Sequence, residues 1–281
     1  MPMLKVAAAQ IECRPGDVAA NLAVHLRTID EARGKGVDLL LFPELSLTDY
    51  LSTPDLGTLA RTADAPELAE IAEAAGDMLV SFGFIEATDD GSCRNSQAIV
   101  GSGRVLHIHR KVNLPTYGEL QEGKHYTPGR AIETVNLKAP WVTSTLICAD
   151  AWNPAIPWLA ALKGASLLLV PVASALDAVG GDFDNPGGWD VTVRHIALTY
   201  GLPIVMTNHC GTRGGLRFWG GSRIVNPFGR EIARAGNLPA LVTATLDHDD
   251  VRLAQFRLPT IRDADPDFIH AELGRLLQTA S

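Results

Sequence analysis

Residues 38–46 read DLLLFPELS, and residues 166–174 read SLLLVPVAS. Each is a short apolar run broken by a proline, and each follows a helix-like segment that ends in a glycine turn. Such runs predict strands buried on both faces, of the kind found inside an α/β sheet. The likeness extends outward from both copies. LKVAAAQIE (4–12) precedes the first as WVTSTLICAD (141–150) precedes the second. MLVSFGFIE (78–86) has its counterpart in YGLPIVMTNHC (200–210). The hairpin pattern NSQAIVGSGRVLHIHRK (95–111), turning at 101–103, has its counterpart in GGSRIVNPFGREIARAG (220–236). NLAVHLRTIDEARGKG (21–36) and PELAEIAEAAGD (66–77) carry helical spacing. The pattern predicts two similar α/β halves packed as one domain over residues 1–281, since no low-complexity linker separates them.

The repeat makes a prediction about position. Val172 stands in the second copy where Glu44 stands in the first. If the halves pack about a pseudo-two-fold axis, Val172 lies near the centre and lines a substrate pocket. The Gly-, Asp- and Pro-rich stretch SALDAVGGDFDNPGGW (174–189) is too long for a simple connector and reads as a pocket rim or lid.

Chemistry gathers where three strand-like runs give out. Glu44 follows the first apolar run, Lys111 ends RVLHIHRK, and Cys148 ends WVTSTLIC. A carboxylate, an ammonium and a thiol are the parts of a cysteine nucleophile with its own base and oxyanion clamp. Taken singly, each has an ordinary reading: a loop glutamate, a strand-end lysine reaching solvent, a small buried thiol. Cys148 differs from Cys13, Cys93 and Cys210 in preceding a turn into a helix-like segment, ADAWNPAIPWLAALKG, whose N-terminus would favour thiolate. Glu44, desolvated beside a strand end, suits proton shuttling. Arg110 and Lys111 point to opposite faces of their strand, so only one of them faces the site.

Bulk composition narrows the class. The chain has 281 residues, 46 % of them hydrophobic and 20 % charged, as in a globular enzyme. A net charge of −8 argues against nucleic-acid partners and anionic membrane surfaces. The four cysteines form no CxxC pair or disulfide framework, and no secretory signal or spanning segment is evident. These features predict a cytoplasmic protein. Phosphate-loop, dinucleotide and GxSxG signatures do not occur. A rival constellation is a metal hydrolase built on His107 and His109, which share a strand face. Its further ligands would come from residues such as His195, His209 or Asp150, which form no known ligand pattern.

FPELSLTDY (42–50), HRKVNLPTYGELQEGKHYTPG (109–129) and LICADAWNP (146–154), in this order, resemble the nitrilase superfamily of carbon–nitrogen hydrolases. The resemblance continues through LKGASLLLVPVAS, YGLPIVMTN and GGSRIVNPFG and covers nearly the whole chain. It implies a four-layer αββα sandwich, assembly into homodimers or larger homo-oligomers, and no cofactor. It implies a Glu44–Lys111–Cys148 triad with a second glutamate at Glu122, or less favourably Glu119. Ala149 would lend its backbone N–H to the oxyanion, with Tyr117 beside the substrate. The implied reaction is hydrolysis of a small amide or N-carbamoyl compound through a thioester, releasing ammonia. Nitrile-cleaving members often carry Trp-Glu after the cysteine, whereas this chain has Ala149-Asp150, which favours the amidase branch over a nitrilase. A non-catalytic or partner-dependent subunit is the remaining alternative.

Overall fold

The computed structural model describes residues 2–50, 56–117 and 120–279. Strand β1 (Met3–Gln10), helix α1 (Val18–Gly34), β2 (Leu39–Leu41), α2 (Pro66–Ala75), β3 (Leu79–Ala87), β4 (Cys93–Gly101) and β5 (Arg104–Arg110) make the first half. The second half comprises β6 (Val135–Asn136), β7 (Val142–Thr145), α3 (Ala155–Leu162), β8 (Leu167–Val172), α4 (Asn185–Tyr200) and β9 (Ile204–Asn208). A hairpin of β10 (Cys210–Arg213) and β11 (Leu216–Trp219) then precedes β12 (Arg223–Val225) and β13 (Glu231–Arg234). The chain finishes with β14 (Ala240–Asp247), α5 (His248–Arg257) and α6 (Pro266–Thr279).

The two main sheets have the same plan. One runs β14-β1-β2-β3-β4-β5 and the other, read in the same sense, β6-β7-β8-β9-β12-β13. In each, a parallel trio (β1-β2-β3, β7-β8-β9) is flanked by antiparallel strands. Even the irregularity recurs: the register slips between Ile99 and Val100 in one hairpin and between Ile224 and Val225 in the other. The predicted pairing of halves therefore holds strand by strand. The sequence reading did not identify β14, which pairs with β1 along its whole length, nor the inserted β10–β11 hairpin.

Period-two alternation sets the layers. On β1 and β2, Val6, Ala8, Leu39 and Leu41 face the core shared with the second sheet, while Ala7, Ala9, Leu40 and Phe42 pack under α1 and α2. Strand β8 is buried on both faces, between the first sheet and helices α3 and α4. The order is helices, sheet, sheet, helices: the expected αββα sandwich. Asp17 caps α1 by accepting from the Ala20 N–H at 3.0 Å, and Gly201, at φ 63°, ends α4 in the left-handed conformation. No helix among the described residues is long and apolar enough to cross a membrane.

Candidate functional site

The turn after β2 lies directly on β3, and glycine makes this possible. A Cβ at Gly83 would sit 2.1 Å from the Leu45 nitrogen. Gly83 accepts from the Leu47 N–H at 2.9 Å, and Leu45 adopts φ 52°. This close approach turns Glu44 inward, where it is fully buried. Its Oε1 accepts from Lys111 Nζ at 2.6 Å and from Asn95 Nδ2 at 2.7 Å, and its Oε2 accepts from the Ala173 N–H at 2.8 Å. The Glu44 carbonyl accepts from His209 Nε2 at 2.7 Å. Burial and the nearby Arg213 charge lower the His209 pKa to about 4, so the ring is neutral and donates through this nitrogen.

Lys111 continues β5 by one residue. Its N–H donates to Asn95 O at 2.9 Å, and its carbonyl accepts from Gly129 N at 2.7 Å. The alternation foreseen in the sequence holds: Arg110 turns out to Glu86 at 2.6 Å and Lys111 turns in. Besides Glu44, the ammonium donates to Glu122 Oε1 at 2.8 Å. Burial alone would lower the lysine pKa, but the flanking Glu122 and Glu44 carboxylates outweigh it and hold Lys111 charged. Tyr50 also donates to Glu122 Oε1, at 2.9 Å, while the buried Glu122 Oε2 has no hydrogen-bond partner among the described residues. Burial, with Glu44 adding to it against the pull of Lys111, raises Glu122 to about 7. Glu119, the other candidate for this role, falls outside the described residues.

Cys148 opens a single 3-10 turn, Cys148–Trp152, and adopts φ 46°, a left-handed conformation rare for a residue with a side chain. Its thiol stays protonated. Burial raises its pKa most, the Glu44 charge adds to that, and Lys111 and a hydrogen bond from the Ala173 N–H oppose it. This corrects the expectation of a thiolate. Helix α3 begins only at Ala155, so no helix end supports Cys148, and desolvation dominates. Ala149 is buried in the same turn.

Asp150 ties the two strand ends together, a role the sequence reading missed in weighing it as a metal ligand and as a mark of the amidase branch. It is fully buried. Oδ1 accepts from the backbone N–H groups of Val112 (3.0 Å) and Asn113 (2.7 Å), just past Lys111. Oδ2 accepts from Ile147 N at 3.1 Å, just before Cys148, and lies 3.3 Å from His109 Nε2. One carboxylate thus fixes the lysine's strand end against the cysteine's turn. Its only sequence signal was its place two residues after Cys148.

A hollow of about 380 Å³ opens in front of Cys148, with Tyr117, Trp152, Phe183, Asn185 and Trp189 among its walls. Glu44, Lys111 and Glu122 are not in its lining; they lie buried behind the thiol. Tyr117 is placed as expected, and burial with the neighbouring Cys148 pushes its hydroxyl up to about 12. The stretch 174–189 supplies much of the rim, also as expected, and is joined to β11 by a hydrogen bond from Leu176 N to Arg217 O. Val172 does not line the hollow. It is fully buried in the core at the end of β8, and Ala173 and Ser174 form the wall instead. The correction follows from alternation: one residue further along, the chain faces the other way.

His107 and His109 do not combine. His107 lies 3.9 Å from Glu133, and His109 lies beside Asp150. Among the described residues the one cluster of potential ligands is Cys13, Asp49 and His209, whose carboxylate is held bidentately by Arg213.

The carbon-nitrogen hydrolase family model matches residues 5–256, and the chain belongs to that family, within the nitrilase superfamily. It is 34 % identical to a hydrolase encoded in the pqqF 5′ region of Pseudomonas protegens, over 87 % of this chain and 83 % of that one. It is 27 % identical to the citrullinase of Francisella tularensis, over 95 % and 97 % of the two chains. Among solved structures, the amidase of Nesterenkonia sp. AN1 superposes with a TM-score of 0.80 at 28 % identity, covering 98 % of this chain and 99 % of that one. The superposed structure is a Glu-to-Gln mutant of that amidase, with acrylamide added at its active site cysteine.

Proposed function

We propose that this enzyme hydrolyses a small carboxamide through a Cys148 thioester, with Glu44 as the shared acid and base. The observation that carries the reading is the buried Lys111 ammonium, clamped between Glu44 and Glu122 behind a pocket-facing cysteine. Because the resting thiol is protonated, attack begins with transfer of its proton to Glu44 as sulfur bonds to the amide carbon. Lys111 has three N–H donors, two of them engaged by carboxylates. The third serves the oxyanion, together with the Ala149 N–H. Collapse of the tetrahedral intermediate breaks the C–N bond, and Glu44 returns its proton to the departing amine. Glu44 then takes a proton from water as it attacks the thioester, and the acid leaves with the thiol restored. The spare Glu122 oxygen is a ready acceptor for the substrate's amide N–H.

The named amidase neighbour, with its cysteine adduct, supports this reading. The citrullinase relative supports a second one, in which the scissile group is an N-carbamoyl unit handled by the same residues. Ammonia release from a panel of aliphatic, aromatic and ω-carboxy amides, N-carbamoyl compounds and nitriles tests both. Turnover that survives Cys148→Ala, or turnover of nitriles alone, would sink the proposal.

A further inference from the structure

We infer that the acyl portion of the substrate is uncharged and apolar, of aromatic or branched-aliphatic size. This rests on the amide hydrolysis proposed above and concerns the hollow in front of Cys148. Its volume, about 380 Å³, is at the small end for ligand pockets and suits one ring or a branched chain. One wall is aromatic: the rings of Trp152 and Trp189 meet edge to face at 5.1 Å, and those of Trp152 and Phe183 at 6.1 Å. Leu120, Ala178 and Val179 extend the apolar lining. Among the described residues, no Asp, Glu, Lys, Arg or His lines it.

The polar atoms of the wall are mostly engaged with the protein. Ser174 Oγ accepts from two indole nitrogens, Trp189 Nε1 at 3.0 Å and Trp219 Nε1 at 3.1 Å. Asn185 Nδ2 donates to Ala175 O at 2.6 Å. The Asn185 carbonyl and the Tyr117 hydroxyl remain, both neutral. Of the charged groups of the rim, Asp177 pairs with Arg217 at 2.9 Å and Asp184 caps α4 by accepting from Gly187 N at 3.1 Å, while Asp182 is exposed to solvent beside Phe183 and does not line the hollow. A carboxylate on the acyl chain would give up its hydration here and meet no opposite charge among the described residues, and an ammonium would find a carboxylate only out at the solvated rim. A phenyl or isobutyl group would instead displace water from aromatic faces and from an aliphatic wall.

The test compares kcat/KM for phenylacetamide, isovaleramide, acetamide, the mono-amide of succinic acid and an N-carbamoyl diamine. The aromatic and branched amides are expected to exceed acetamide by about 100-fold and the charged compounds by more. Phe183→Ala, at the exposed rim, should shrink the phenylacetamide-to-acetamide ratio about tenfold, chiefly through KM. A charged compound that equals phenylacetamide, or a ratio unmoved in the variant, overturns the inference while leaving Cys148-dependent hydrolysis intact. If the wild type hydrolyses nothing, the amidase reading falls, and protection of Cys148 from iodoacetamide then decides the inference. Phenylacetaldehyde, which a thiol adds to as a thiohemiacetal, should protect at concentrations where succinic semialdehyde does not. Equal protection by the charged aldehyde, or none by either, overturns it.

Discussion

The ends of β2 and β8 occupy matching places in two sheets of identical plan, yet they have opposite characters. Past β2 the chain presents Glu44, which receives three hydrogen bonds on its carboxylate. At the end of β8 it presents Val172, fully buried among apolar side chains, and then a bare amide, Ala173 N–H, aimed back at Glu44. The repeated framework offers two equivalent positions, but a buried carboxylate is tolerable only where donors converge. The first half supplies them through Asn95 and Lys111; the second contributes one peptide N–H and the thiol. The symmetry is one of backbone, and the chemistry depends on breaking it.

That contrast can be broken most directly at its centre. Cys148→Ala should lower kcat for the best amide by at least about 10⁴-fold while leaving the melting temperature nearly unchanged, since the nucleophile acts as a unit with its base. Active-site assays beside thermal melts check this. Next in size, Val172→Glu would install on β8 the carboxylate that β2 carries, without the donors. It should destabilise the fold by about 4 kcal/mol or more, read from denaturant midpoints. A variant that stays folded at wild-type stability would mean the two strand ends are more alike than their surroundings indicate.

The third test sharpens the comparison through pH. Glu122 sits at about 7 in the folded protein, above the ordinary value of 4.5. The native state therefore binds this proton more tightly than the unfolded chain does. Its stabilisation is fully present below pH 4.5 and is lost as pH rises through 7, on the order of 3 kcal/mol in all. Glu122→Gln should flatten that stretch of the stability curve, and an unchanged slope would place the titration in another group. Smallest is Asp150→Asn, which sets an amide N–H₂ against donors now facing Oδ1 or Oδ2. A loss of about 2 kcal/mol is expected, with kcat falling more than KM changes, because Lys111 and Cys148 lose their shared anchor. Equal loss of stability with kcat untouched would make Asp150 purely architectural.

The sequence carried the parts that depend on pattern. Apolar runs located the central strands, and alternation separated Arg110 from Lys111 correctly. Glu44, Lys111, Glu122 and Cys148 meet in one cluster as expected. What escaped depends on distance through space. Tyr50 closes the stretch 42–50 and His209 was weighed only as a metal ligand, while Asn95 opens a hairpin strand, and all three matter because of what they touch. Strand β14, ALVTATLD, sets two threonines and an aspartate among its apolar residues and lacks the longer apolar run around β2 and β8. The misplacement of Val172 by one residue shows the limit of a repeat argument, which fixes a strand end but not which face is in use there. The protonation of Cys148 was misread for a related reason. A motif gives neighbours, and burial decides which of their effects wins.

The protonated thiol has a consequence for durability. Thiolates attack peroxides and disulfides, and the rate falls with the thiolate fraction. On the proposed mechanism the nucleophile surrenders its proton only as its own reaction begins, and it would spend its idle time in the inert form. With an empty pocket Cys148 should therefore age slowly in oxidising solution, kept dormant by burial first and by the Glu44 charge second, and Glu44 is also the group proposed to wake it.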